Sequence, residues 1–163
     1  MSDDSKTADG PEPAGARAPR GDSWGAAVGM ETLEASGERV RTRVVIGPQH
    51  HQPYGIVHGG VYCSIVEGVA SYGAGINVHE SGSGKSVVGV SNHTDFLRSH
   101  GEGELIAVGE PVHVGRNAQL WKVDIRRTSD DKLVAQGQVR FHVLQRTGDE
   151  VRAYARERDH RDG

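Results

Sequence analysis

Glu67 is the one Asp, Glu, Lys or Arg between Arg43 and Glu80. Charged residues make up 25% of the chain, so a stretch of that length would ordinarily hold about nine. A carboxylate can attack an electrophilic carbon, activate a water or move a proton. Burying one without partners is costly, and carboxylates in such settings concentrate at working sites. Glu67 is therefore read as the reacting group of an enzyme. The competing explanation, the solvated face of an amphipathic helix, leaves no reason why no second charge shares that face.

The element that must hold Glu67 is a helix over residues 59–78. At 3.6 residues per turn, Val61, Tyr62, Cys63, Ile65, Val66, Val69, Ala70, Ala74 and Ile76 fall on one broad side that can pack on a sheet. Gly60, Ser64, Glu67, Gly68, Ser71 and Gly75 form the remaining stripe. Small residues there let another backbone or a ligand come close. Gly68, Gly73 and Gly75 each cost about 1 kcal/mol of helix propensity relative to alanine, which points to tight packing.

The rest of the chain reads mainly as strand. Gly29–Ala35 and Arg39–Ile46 form a hairpin around Ser36 and Gly37. Ser86–Leu97, Glu104–Val114, Gln119–Arg127 and Leu133–Leu144 are four further strands, divided by glycine- and polar-rich turns. Two strands, one long helix and four strands give an α+β plan, an antiparallel sheet covered by one helix. Residues 1–23, rich in Ser, Asp, Gly, Pro and Ala, read as a disordered N-terminal arm. The folded domain spans 24–146. The polar tail 147–163 reads as a short exposed helix or disorder.

Composition narrows the function. Nineteen basic against 22 acidic residues give a net charge of −3, without the basic surplus of a general nucleic-acid binder. Cys63 is the single cysteine and reads as an inert core thiol. No signal-like segment and no run of about 18 apolar residues is visible, so a soluble cytoplasmic protein is expected. His50, His51 and His58 lack metal-site spacing, and no metal is expected. The segment Gly82–Ser86 is no phosphate loop, because His79 stands where its first Gly is needed. No Ser-His-Asp triad is supported, since Ser64 and Ser71 sit in mid-helix.

The segment Tyr54-Gly55-Ile56-Val57-His58-Gly59-Gly60-Val61-Tyr62-Cys63-Ser64-Ile65-Val66-Glu67, followed by Ala70-Ser71, resembles the hot-dog-fold acyl-CoA thioesterases. Within them it is similar to the branch with a helix Glu, typified by the actinobacterial 4-hydroxybenzoyl-CoA thioesterase. Ser91–Arg98 resembles a strand segment of the same branch. The resemblance runs from about Met30 to Arg146. It implies a curved antiparallel sheet wrapped around a central helix, a homodimer as the minimal unit, and a dimer of dimers as the full assembly. Coenzyme A would enter as part of the substrate, and no separate cofactor is implied.

Each residue then acquires a role. Glu67 is the nucleophile or general base, and the Gly59 N–H, at a helix N-terminus, polarises the carbonyl. By resemblance, Gln52 joins Gly59, and Ser71 orients a water or the carboxylate; an i, i+4 pair does share a helix face. His58, Gly60, Tyr54, His93, Thr94, Arg98, Arg116 and Asn117 are expected to contact substrate, with Arg98 and the Arg116–Asn117 turn near the nucleotide end. The relatives often carry Ser-Thr where this chain has Arg116-Asn117. Gly59 and Glu67 are separated by about 12 Å along the helix axis, too far for one carbonyl, so the site is expected to be shared between two subunits. A hydratase or dehydratase of acyl thioesters and a non-catalytic acyl-CoA-binding module are the alternatives. Thiol release separates both from a hydrolase.

Overall fold

A computed structural model of the chain describes residues 23–159. The arm assigned to 1–23 lies, apart from Ser23, outside the described residues. Ser23 caps a one-turn helix α1 (Trp24–Ala27), its hydroxyl accepting the Ala26 N–H. Then come β1 (Glu31–Ala35), β2 (Val40–Ile46), a 3-10 turn at Pro48–His50 and the long helix α2 (Gly59–Glu80). Four strands follow, β3 (Ser86–Phe96), β4 (Gly103–Val114), β5 (Ala118–Arg127) and β6 (Leu133–Leu144), and then α3 (Gly148–Asp159). α3 answers the choice left open for the tail: much of it is helical.

The six strands form one antiparallel sheet in the order β1-β2-β4-β5-β6-β3. Alternation decides which side chains face α2. From β2 these are Val40, Thr42, Val44 and Ile46; from β5, Trp121, Val123 and Ile125; from β6, Ala135, Val139, Phe141 and Val143. All of these except Thr42 and Val143 meet Ile65, Val66, Val69, Ala70 and Ala74 of the helix in one core. Cys63 and Ile76, expected on the packed side, are only half-buried.

Helix and sheet approach closely because glycines stand at their contacts. A Cβ at Gly73 would overlap the ring of fully buried Trp121. A Cβ at Gly68 would come within 2.7 Å of Met30 Cε. At Gly75 a Cβ would meet nothing within 4 Å, so two of the three helix glycines have a packing reason. Below Trp121 a polar chain is satisfied: its Nε1–H donates to Gln119 Oε1 at 2.8 Å, and Gln119 Nε2 donates to Asn77 Oδ1 at 3.3 Å.

The two sheet edges differ. β1 carries Glu31 and Glu34, engaged with Arg43 of β2 and with Arg39 just before it. The other edge, β3, is 11 residues long, and Val88, Val90 and Phe96 on it are exposed.

Candidate active site

His58 sets the start of α2. As N-cap, its ring Nδ1 accepts the Gly60 N–H at 2.9 Å, and its carbonyl accepts the Val61 N–H. The Gly59 N–H finds no partner among the described residues. It is thus an unpaired donor at the positive end of a 22-residue helix, where developing negative charge is stabilised. A side chain at Gly59 would collide with the Phe96 ring. Around this N–H opens a cleft of about 480 Å³ lined by Gln52, His58, Gly59, Tyr62, Phe96 and Arg98, among others.

Glu67, two turns further along α2, points towards β3. Asn92 Nδ2 donates to its Oε2 at 3.0 Å and to the Cys63 carbonyl at 3.1 Å. Thr94 Oγ1 donates to Asn92 Oδ1 at 2.7 Å, which turns the amide nitrogen of Asn92 to the carboxylate. Ser71 Oγ makes a long contact of 3.4 Å with Oε1. A Cβ at Gly89 would overlap Oε1, so the bare strand backbone forms the wall behind it. Glu67 is half-buried and held by neutral donors. Such a carboxylate keeps lone pairs for a water or an acyl carbon.

Gln52, His58 and Gly59 therefore come together in one cleft, with Arg98 on its rim. Arg98 Nη1 donates to the Leu133 carbonyl at 2.7 Å. Glu67, Ser71 and Thr94 gather at a second place, and within one chain the two groups do not converge. Gly60 is exposed beside His58, and Tyr54, 87% exposed, is absent from the cleft lining. His93 projects from the opposite face of β3 to Asn92 and Thr94, and pairs with Asp95 at 3.5 Å. Arg116 and Asn117 are exposed on the β4–β5 turn. Arg116 lines a different cleft, beside Lys85 near the end of α2.

Sequence reasoning missed Asn92 and Gly89. Asn92 lies inside the family-like segment Ser91–Arg98, beside His93 and Thr94. Among the described residues, no group of three metal-ligating side chains is assembled, and no helix is long and apolar enough to cross a membrane.

Burial shifts the titration of two side chains, Tyr62 and His100. Burial pushes the Tyr62 phenol up to about 12, and its hydroxyl has no partner. Burial also lowers the His100 imidazole, whose Nε2 is likewise unpaired. The Arg127 guanidinium, bonded to Asp130 at 2.6 Å, holds that carboxyl well below the usual carboxylate range.

A single antiparallel sheet curled around a long helix, with a carboxylate on the helix and a free N–H at its start, defines a hot-dog-fold thioesterase. Residues 54–134 match the family described as the Thioesterase superfamily. Rv1847 of Mycobacterium tuberculosis, which carries an esterase name, is 43% identical over 119 residues, covering 72% of this chain and 84% of that protein. Its structure superposes with a TM-score of 0.71 over 74% of this chain and 95% of that one, at 40% identity. AziG of S. sahachiroi gives a TM-score of 0.72 at 36% identity, over 77% and 98% of the two chains. An Arabidopsis thaliana protein named 1,4-dihydroxy-2-naphthoyl-CoA thioesterase 2 is 35% identical over 107 residues, 62% of this chain and 66% of that protein. The chain belongs to the thioesterase superfamily and is a thioesterase.

Proposed function

We propose that the protein hydrolyses an aromatic acyl-CoA, 4-hydroxybenzoyl-CoA among the candidates, to the free acid and coenzyme A. The observation that carries this reading is the pairing of two features. One is an unpaired Gly59 N–H in a cleft with Gln52; the other is a carboxylate, Glu67, held only by neutral donors. The N–H and the Gln52 amide donate to the thioester oxygen as it becomes negative. Glu67 attacks the carbonyl carbon, directly or through a water, and the thiolate of coenzyme A leaves. Across the reaction one water is consumed, and one carboxylic acid and one thiol form. Asn92, Thr94 and Ser71 keep the carboxylate in place. An aromatic acyl group is supported by the name of the Arabidopsis relative. Arg98 on the cleft rim, with Arg116 and Asn117 on their turn, suits the phosphates of the nucleotide end. A cytoplasmic protein fits such a substrate.

The two half-sites belong together across a two-fold axis in this reading. Two antiparallel copies of α2 would bring Gly59 of one subunit beside Glu67 of the other. The long, apolar edge β3 supports a homodimer, because a strand of this kind is a pairing template unless covered. Pairing of such dimers into a tetramer completes the expected assembly.

The test is a thiol-release assay on a panel of aryl- and fatty acyl-CoA esters. Release of one thiol per acid formed is expected, fastest with aryl esters. No release from any ester, or appearance of a hydrated acyl thioester instead, refutes the reading. For the shared site, mixing Q52A with E67A subunits should restore activity in the heterodimer; no recovery sinks that part.

A further inference from the structure

Gln52 and Gly59 leave one arch of the chain, residues 47–58, whose base is closed by main-chain pairing. The His58 N–H donates to the His50 carbonyl at 2.9 Å, and His51 bridges to Val57. A tight turn forms the crown, the Gly55 N–H donating to the Gln52 carbonyl at 2.9 Å with Gly55 at φ 75°. Whatever fixes the base therefore fixes the two donors relative to each other.

One flank of the arch is tied to the segment after β3. The Val57 N–H donates to the His100 carbonyl at 2.9 Å, and His51 Nε2 donates to the Gly101 carbonyl. The other flank is tied by His50, which is 4% exposed. Its Nδ1 accepts the Gly47 N–H at 3.1 Å, and this bond selects the tautomer. The ring proton is then on Nε2, which donates to the Val28 carbonyl at 3.0 Å. Val28 is itself part of the core. The ring of His50 thus clamps the arch to the 24–30 segment, while its carbonyl holds His58.

His58 passes that placement on. It is the N-cap of α2, and its Nδ1 accepts the Gly60 N–H at 2.9 Å. Val28, His50, His58 and Gly60 are therefore joined in one series of hydrogen bonds, and the unpaired Gly59 N–H lies between its last two members. A donor stabilises a developing oxyanion only when it is aimed at the place that oxygen will occupy. A shift of about 1 Å there costs on the order of 10²-fold.

We propose that His50 is a positioning residue for the reaction, its Nε2–H tautomer setting the Gly59 N–H and Gln52 for the thioester oxygen. His50 touches neither the substrate nor the reacting atoms. The inference rests on the thioesterase reading above and adds the side chain that holds its polarising half.

Two readouts test it, and one is independent of turnover. In nuclear magnetic resonance of the isotope-labelled full chain, the His50 ring should carry its proton on Nε2. H50F keeps the bulk of the ring and loses both nitrogens; it should shift the Gly59 and Gly60 amides and leave the Asn92 side-chain amide in place. In thiol release, measured per folded molecule, H50F should lower kcat about tenfold or more with coenzyme A affinity unchanged. H50N, whose side-chain oxygen can accept the Gly47 N–H, should recover part of that loss. H50F should cost less in a Q52A background, where one of the donors it places is gone, and its full factor in N92A, which alters the Glu67 half. A histidine that served stability alone would lower the melting temperature and leave kcat per folded molecule intact. Should H50F fail to fold, H50N carries the same comparisons with a smaller effect. Wild-type kcat in the folded variants, equal costs in the Q52A and N92A backgrounds, or a ring proton on Nδ1 overturns the assignment. Absence of any thiol release with the Gly59 shift retained instead refutes hydrolysis and leaves the placement by His50 standing.

Discussion

Replacing Gly89 by alanine should disable the enzyme without unfolding it. The new Cβ would sit about 1 Å inside ordinary contact with Glu67 Oε1. Its next neighbours are Glu67 Cδ at 3.5 Å and Phe141 Cε1 at 3.8 Å, both tolerable. The overlap therefore falls on the tip of one flexible side chain, and the carboxylate must retreat. Alanine on an edge strand changes stability by at most ~1 kcal/mol, so the melting temperature should move by only a few degrees. A displacement of about 1 Å at a reacting group costs on the order of 10²-fold, which is about 2.7 kcal/mol of barrier. The assay is thiol release under kcat/KM conditions, with a thermal melt beside it. E67D supplies the control: its shorter side chain already stands back, so G89A should cost less in that background, and the double-mutant cycle should show coupling. G89A with wild-type kcat/KM, or G89A costing equally in both backgrounds, would refute the reasoning.

Asn92→Ala removes the amide that holds Glu67 and should lower kcat about tenfold or more, whereas Thr94→Val, which only releases that amide, should cost less; equal kcat in N92A and wild type would count against the arrangement. Gly73→Ala should destabilise by about 1–3 kcal/mol through overlap with Trp121, while Gly75→Ala, with open space around it, should stabilise by up to ~1 kcal/mol; denaturant midpoints decide. Burial lowers the His100 imidazole in the folded state, so the unfolded chain takes up that proton more readily. The corresponding stability is present above the ordinary histidine value and is lost as pH falls from it towards the lowered one. Melts from pH 8 to 5 should therefore fall more steeply for the wild type than for H100F, and parallel curves would exclude the assignment.

Much of the frame was legible because two periods ran cleanly. Apolar residues recur at helical spacing from Val61 to Ala74, and alternation in Gln119–Arg127 and Leu133–Leu144 placed strands whose inner faces the fold does bury. Glu67 stood out by charge density, and the glycines at 68 and 73 by their propensity cost. What the sequence did not disclose depends on facing. β3 shifts register between Gly89 and Ser91, and only that placement turns Asn92 and Thr94 inward and His93 outward. The expectation for Cys63 missed because the rim of a helix under a curved sheet is only half covered. The α1 turn is too short to show a period; its Ser23 cap and the Trp24–Ser64 hydrogen bond hold it.

The account turns on whether the carboxylate of Glu67 does chemistry on a thioester. Single-turnover thiol release by E67Q, read beside coenzyme A binding to the same protein, measures this most directly. A loss of 10²–10⁴-fold or so in the chemical step with coenzyme A affinity unchanged is predicted. Turnover at the wild-type rate in a correctly folded E67Q would contradict it.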